Sequence, residues 1–315
     1  MNIKNLYFDN CFLASGSLNF FGDGWWYDFW YKAFVPGFKI IERTTFVAKT
    51  TTLYERAGNM PLNENFQPRE IIPKCIKAYP LKGAMLNAVG LSGPGANALF
   101  ERGKWQQIDR PFFISFMAVN DDPDQRLKET TDFLFLLLGY LEQFKTNIGL
   151  QINISCPNTK HNTKDLANEA LKILKLVSGL KIPIDLKVNT LINTEVVREI
   201  ERSGLCDVLT LSNTIPYGTE GINWKNVLGR KESPLQHLGG GGLSGKVILP
   251  LVLNKIKDLR SAGITMPIKG SGGIFSANDV DKMKMAGANA IEIGTVLILR
   301  PWRVKAIIDR ANEIF

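Results

Sequence analysis

Eight short, almost wholly apolar segments separated by longer amphipathic or polar stretches limit this chain's fold more than any other feature. They lie at residues 12–15, 46–49, 112–119, 150–155, 184–188, 208–212, 267–271 and 290–294. Runs of this kind suit parallel strands buried on both faces, whereas half-exposed strands alternate apolar and polar residues. Helical patterns occupy residues 124–144, 164–180, 193–204, 245–262, 276–287 and 301–315. Their ends carry the expected signals. Asn193 or Thr194 can cap one helix, and Ser276 with Asp279 three residues on can cap another. Gly204, Gly263 and Gly287 stand where helices should stop. The alternation predicts an α/β fold, a single (β/α)8 TIM barrel spanning 1–315 as one domain. Two connections, 50–110 and 214–244, are too long for simple turns. In a barrel such loops build the active-site face.

Composition narrows the function. Of 315 residues, 45% are hydrophobic and 22% charged, so the core needs no disulfides. The four cysteines, Cys11, Cys75, Cys156 and Cys206, form no Cys-x-x-Cys pair, and the only histidines are His161 and His237. A structural zinc site or iron–sulfur cluster therefore lacks ligands within the chain, and no metal is expected. Scattered cysteines fit a reducing cytoplasm. The net charge of +8 suits an anionic ligand, but the basic residues are dispersed and no nucleic-acid stripe is evident. No signal peptide or transmembrane segment is expected, because the longest apolar run, 133–138, falls far short of the roughly 20 residues a span requires. The segment 20–34 is dense in aromatics. It reads as a buried helix closing the barrel bottom or a subunit interface, with a membrane-surface or partner-binding patch as the alternative.

Barrel chemistry sits at the C-terminal ends of the strands. Here those ends carry Ser15, Lys49, Asn120, Asn153, Cys156, Lys187, Asn213, Gly272 and Gly294. Lysines and asparagines meeting at one mouth point to a planar, polar, anionic ligand. Gly272-Gly273 and Gly294-Thr295 follow the last two strands, where barrels often bind phosphate through backbone N–H groups. A third cluster, 239–245, is expected to open a helix and contribute to phosphate binding. Its formal Gly-x-Gly-x-x-Gly match at Gly240, Gly242 and Gly245 lacks a βαβ context, so a dinucleotide site is not expected. Cys156 lies between Ser155 and Pro157, a poor setting for inert packing. Near cations a thiol can act as a general base.

The stretch Asn153-Ile154-Ser155-Cys156-Pro157-Asn158 resembles the catalytic loop of dihydroorotate dehydrogenases. It is closest to the soluble class 1 enzymes, which carry cysteine where class 2 carries serine. Leu13-Ala14-Ser15-Gly16, Lys49-Thr50-Thr51-Thr52, Met85 to Leu91, Gly242 to Gly245, Gly272-Gly273-Ile274 and Ile293-Gly294-Thr295 fall in the family's order. The resemblance runs from about Leu13 to Thr295.

The resemblance implies an FMN-dependent oxidoreductase of pyrimidine biosynthesis that converts dihydroorotate to orotate. Cys156 would be the base and hydride would pass to FMN. The cofactor would lie against Ala14, Ser15, Lys49, Asn153 and Lys187, its phosphate bound near Gly245, Gly272, Gly273, Gly294 and Thr295. Lys49, Asn87, Asn158, Asn213 and Thr214 would hold the substrate. The partner would be a small molecule and not nucleic acid. A homodimer or an iron–sulfur flavoprotein subunit also fits. Residues Thr159 to Thr163 lack the glycine-rich loop common in class 1, which leaves the electron acceptor open. The alternatives are a dihydropyrimidine dehydrogenase-like enzyme acting on a related ring or enone, a tRNA dihydrouridine synthase, and a non-catalytic flavin- or phosphate-binding barrel.

Overall fold

Inward-facing polar residues and outward-facing apolar ones alternate along the barrel strands of a computed structural model that describes residues 1–35, 42–154 and 163–315. The chain begins with a hairpin of β1 (Asn2–Ile3) and β2 (Leu6–Tyr7), then enters the barrel at β3 (Cys11–Leu13). A short helix, α1 (Asp28–Phe34), precedes β4 (Ile76–Tyr79), β5 (Ala84–Asn87) and α2 (Ala96–Glu101). The regular alternation follows: β6 (Phe112–Phe116), α3 (Pro123–Tyr140), β7 (Ile148–Asn153), α4 (Thr163–Val177), β8 (Ile184–Val188), α5 (Thr194–Ser203) and β9 (Val208–Leu211). After β10 (Ile215–Pro216), α6 (Trp224–Leu228) and β11 (Gly242–Gly245), it resumes with α7 (Leu249–Ser261), β12 (Ile268–Ser271), α8 (Ala277–Ala286) and β13 (Ala290–Ile293). Helices α9 (Thr295–Leu299) and α10 (Val304–Ile314) end the chain.

Seven strands pair in parallel in the order β3-β13-β12-β9-β8-β7-β6. Residues 45–51 close the ring. They bridge β3 on one side (Phe12↔Thr45) and β6 on the other (Val47↔Phe113, Thr51↔Phe116), all parallel. Backbone hydrogen bonds reach in both directions, Leu13 N–H to Thr45 O and Phe113 N–H to Phe46 O among them. The expected eighth strand is therefore present as a bridging stave without a continuous ladder.

The interior is layered. Phe8, Phe12, Val47, Phe113, Val208 and Ala290 form an apolar floor, with Ile3 of the hairpin beneath them. The N-terminal hairpin thus closes the barrel bottom, which corrects the barrel-bottom placement expected for segment 20–34. Above the floor lies a polar layer. Ser115, Gln151, Asp185, Thr210, Lys269 and Glu292 are each fully buried. They sit at alternate positions of adjacent strands, where a period of two points every second side chain inward.

The two long connections are not open loops. They pair into a four-stranded antiparallel sheet, β10-β11-β5-β4, that roofs one side of the barrel mouth. The expected helix at 245–262 starts later, at Leu249, because Gly242–Gly245 is strand β11. The caps agree with the sequence reading. Asn193 accepts from Glu195 N–H, Ser276 from Asp279 N–H, and Gly204 and Gly287 end their helices in the left-handed region. Among the described residues, no helix is long and apolar enough to cross a membrane.

Gly149 on β7 makes room for the floor. A Cβ there would lie 2.3 Å from the Phe113 ring. Gly149→Ala is expected to destabilise the protein by about 1–3 kcal/mol through overpacking. An unchanged denaturant midpoint would show that the floor has slack.

Candidate active site

The ends of the barrel strands meet in one cavity of about 450 Å³. Its polar floor is drawn from seven staves. Ala14 and Ser15 follow β3, Lys49 and Thr50 belong to the bridging stave, and Asn153 ends β7. Lys187 rises from β8, Asn213 and Thr214 follow β9, and Gly272 and Gly273 follow β12. Glu292, Gly294 and Thr295 come from β13 and the start of α9, and the roof adds Asn87 and Ser244. The sequence-predicted residues Ala14, Ser15, Lys49, Asn87, Asn153, Lys187, Asn213, Thr214, Gly272, Gly273, Gly294 and Thr295 therefore share one site.

Hydrogen bonds fix several of these side chains. Thr50 is the hub. Its N–H donates to Ser15 Oγ at 2.8 Å, and its hydroxyl lies 2.8 Å from Ser15 Oγ and 2.9 Å from Ser115 Oγ. Asn153 Nδ2 donates to the Thr50 hydroxyl at 3.3 Å, and Asn213 Nδ2 donates to Asn153 Oδ1 at 3.1 Å. The orientation of each amide is thereby set by its neighbour. Lys49 donates to Ser92 O at 2.5 Å and lies 4.8 Å from the centre of the Phe20 ring, so its ammonium is steered although buried.

The charges beneath the cavity form a linked set. Lys187 Nζ is 2.8 Å from Glu292 Oε1, which also accepts from Ser271 Oγ at 3.1 Å. Lys269 Nζ lies 2.7 Å from Asp185 Oδ2 and 3.6 Å from Glu292 Oε2, above the rings of Phe12 and Phe113. Its ammonium meets these oxygens outside hydrogen-bonding angles, so the attraction is that of charge. Asp185 also accepts from Gln151 Nε2 and Thr210 Oγ1, each at 2.7 Å. Burial by itself would raise the Glu292 pKa. The ammonium groups of Lys187 and Lys269 outweigh it and hold the carboxyl below its ordinary value.

Glycines shape the opposite end. Gly272 and Gly273 have φ of +110° and +82°, a region L side chains avoid. A Cβ on Gly273 would lie 2.5 Å from Leu249. Gly245 is set back from the cavity lining, and a Cβ there would meet Gly83 O at 2.1 Å. Gly240, Gly241 and Gly245 thus serve close packing in the roof. Their neighbour Ser244 reaches the cavity, and its Oγ accepts from Thr295 Oγ1 at 2.9 Å.

Cys156 and Asn158 lie outside the described residues. Before them β7 ends at Asn153, which lines the cavity, and after them the described chain resumes with α4. That helix is tied to α3 by a buried ion pair between Glu169 and Arg126, and Arg126 also holds the carbonyls of Asn120 and Asp121. Asn120 serves this turn, with its side chain accepting from Asp122 N–H, and does not line the cavity.

The aromatic segment stands at the mouth. Trp25, Trp26 and Tyr27 line the cavity with Pro68, Ile71 and Ile72. Trp25 Nε1 donates to Gly16 O at 2.9 Å, tying the segment to the Ala14–Gly16 turn. Asp28, buried, accepts from Trp25 N–H at 2.6 Å. Phe29, Trp30 and Phe34 instead face solvent, because α1 is only seven residues long and packs by its other side. Sequence reasoning missed Thr50, Glu292 and Trp25. Polar residues at alternate positions in otherwise apolar strands were the available signal for Glu292.

The dihydroorotate dehydrogenase family profile matches residues 1–315. The dihydroorotate dehydrogenase B (NAD(+)) catalytic subunit of Halalkalibacterium halodurans is 31% identical over 271 residues, covering 83% of this chain and 77% of that protein. That of Geobacillus kaustophilus is 30% identical over 234 residues, covering 72% and 69%. Among solved structures, dihydroorotate dehydrogenase from Eimeria tenella in complex with ferulenol superposes with a TM-score of 0.68 at 20% identity. That match covers all of this chain and 83% of the other, and supports the barrel fold.

Asp28 gives the mouth a pH signature. Burial, partly offset by the Trp25 N–H and Lys32, pushes its carboxyl up to about 6. A raised folded-state value means that the group's stabilising contribution is complete below its unfolded pKa of about 4 and is lost as pH rises through about 6. Asp28→Asn should flatten the dependence of Tm on pH across that window. An unaltered slope would place the titration elsewhere.

Proposed function

The chain belongs to the dihydroorotate dehydrogenase family, whose profile spans all of it, and from that premise we propose that it oxidises dihydroorotate to orotate with FMN as its redox cofactor. The observation that carries the reading is the convergence of Lys49, Asn87, Asn153, Lys187 and Asn213 with the Gly272–Gly273 turn in one cavity. Its volume falls in the range of roughly 300–1,000 Å³ typical of cofactor sites.

The residues fit this cofactor. Backbone around Gly272, Gly273 and Gly294, with the hydroxyls of Thr295 and Ser244, would hold a phosphate where no Cβ intrudes. Ala14, Ser15, Asn153, Lys49 and Lys187 would border the ring. Gly245 acts at one remove, by letting β11 pack on Gly83. When bound, FMN supplies a ring that accepts the hydride released from the substrate.

The remaining work falls to the chain. Asn87, Asn158, Asn213 and Thr214 would position the pyrimidine ring, since an amide offers a pyrimidine both a donor and an acceptor. Lys49, steered by Ser92 O, would meet the substrate carboxylate. Cys156 would take the C5 proton onto its sulfur, with positive charge at Lys49 and Lys187 favouring the thiolate. The apolar mouth, Trp25 to Tyr27 with Ile71 and Ile72, would exclude water from the closed site. The designation of the relatives as NAD(+)-type catalytic subunits supports electron transfer onward through a partner subunit.

Anaerobic titration of the purified protein with L-dihydroorotate should bleach one bound FMN per chain. A colourless protein that refuses FMN would end the proposal. Fumarate, quinones and NAD, each offered as reoxidant, would identify the acceptor. Cys156→Ala should retain FMN while slowing its reduction by about 10²–10⁴-fold, the usual contribution of a general base. Reduction at the wild-type rate would remove the thiol from the mechanism. Gly273→Val should lose FMN because its side chain collides with Leu249. Full occupancy in that variant would move the phosphate site.

A further inference from the structure

The network below the cavity contains two cations and two anions, Lys187 and Lys269 against Glu292 and Asp185, all buried. Only Lys187 and Glu292 line the cavity. Lys187 is therefore not an isolated positive charge facing a ligand. Its ammonium is 2.8 Å from a fully buried carboxylate that is itself held by Ser271 and by Lys269. Salt and solvent cannot screen groups so placed, so each unit of charge is felt strongly across the cavity floor.

We propose that Glu292, with Lys269 and Asp185 behind it, is a positioning residue that offsets the charge of Lys187 and so sets how readily the bound flavin accepts negative charge. The inference rests on the reading that FMN lies over Lys187. Reduction leaves negative charge on the flavin's N1–C2 edge, and a neutral floor stabilises that charge less than a net cation does. Glu292 thus trades oxidising power for a compensated interior. Beneath it, Lys269 is enclosed by Asp185 and the faces of Phe12 and Phe113. Burial disfavours the Glu292 carboxylate, but the two ammonium groups beside it outweigh that and favour its ionised form.

Sulfite is a probe of this charge. Its sulfur lone pair forms a bond to flavin N5, and the displaced electron pair settles on the N1–C2 edge. Binding is read as loss of visible flavin absorbance and needs neither dihydroorotate nor turnover. Glu292→Gln leaves the floor with one net positive charge, and sulfite should bind about tenfold more tightly. The midpoint potential should rise correspondingly, a tenfold change being about 30 mV for a two-electron couple. Asp185→Asn also removes a negative charge, further from the cavity, and should shift both readings the same way by less. Lys269→Met should weaken sulfite binding, and Glu292→Gln combined with Lys269→Met should return both readings to the wild-type values.

Shifts that follow the sign of the charge in these variants support the proposal. Unchanged sulfite affinity and potential in Glu292→Gln, or a double variant that fails to revert, would overturn it. Should Glu292→Gln not retain FMN, Asp185→Asn and Lys269→Met decide by the signs of their shifts. Lys187→Met separates the two readings. If the protein binds FMN but that variant leaves the flavin unaltered, the cofactor does not lie over Lys187 and the placement fails. If Lys187→Met alters the flavin and the other variants do not, the placement stands and the role of Glu292 fails.

Discussion

The contact between Lys269 and Asp185 on the barrel axis governs what its neighbours can be. Two opposite charges removed from water cost several kcal/mol each unless their remaining valences are met. Gln151 and Thr210 donate to Asp185, the Glu292 carboxylate and two aromatic faces attract the Lys269 ammonium, and Ser115 donates to Gln151. The requirement then spreads upward. Ser115 meets Thr50, Thr50 meets Ser15 and Asn153, and Asn153 meets Asn213. A chain of polar contacts thus runs from the centre of the barrel to the cavity, and the ligand-facing amides inherit their orientation from it. The apolar floor of Phe8, Phe12 and Phe113 shields the lower side from water.

Above this layer the fold departs from a plain barrel. Two segments far apart in sequence, within 50–110 and 214–244, meet as one antiparallel sheet and deliver Asn87 and Ser244 to the same cavity. The aromatic segment supplies the facing wall through Trp25 to Tyr27. Its anchoring by Trp25 to Gly16 O and by Asp28 to Trp25 N–H makes the mouth an extension of the Ala14–Gly16 turn. The fold therefore places polar recognition low in the cavity and apolar cover at its rim.

Much of this was legible in the sequence because parallel strands and capped helices leave local marks. Ile184–Val188 and Ala290–Ile293 read as strands from their apolar runs, and Asn193 and Ser276 cap as their side chains allow. Lys49, Asn153, Lys187 and Asn213 were found because they stand at strand ends. What escaped depends on tertiary pairing. Nothing local tells that Gly242–Gly245 is a strand, since its partners Ala84–Asn87 lie more than 150 residues away. Segment 20–34 was expected at the barrel bottom or a subunit interface because its aromatic content suggested burial. Yet Phe29, Trp30 and Phe34 are exposed, and the floor is instead closed from below by a hairpin whose strands are two residues long. Lys269 and Glu292 were passed over as parts of apolar runs, although their spacing from Ser271 and Gly294 follows the inward period of two.

The sealing of the ionic layer has one more consequence. The chain carries a surplus of eight positive charges, and counterions in physiological salt damp the interactions of exposed charges beyond roughly 8 Å. The balanced ions inside the barrel have no such bath. Changes in ionic strength should alter how fast anionic molecules find the protein while leaving the electrical setting inside the cavity untouched. Capture and chemistry are thereby governed by separate sets of charges, free to vary independently.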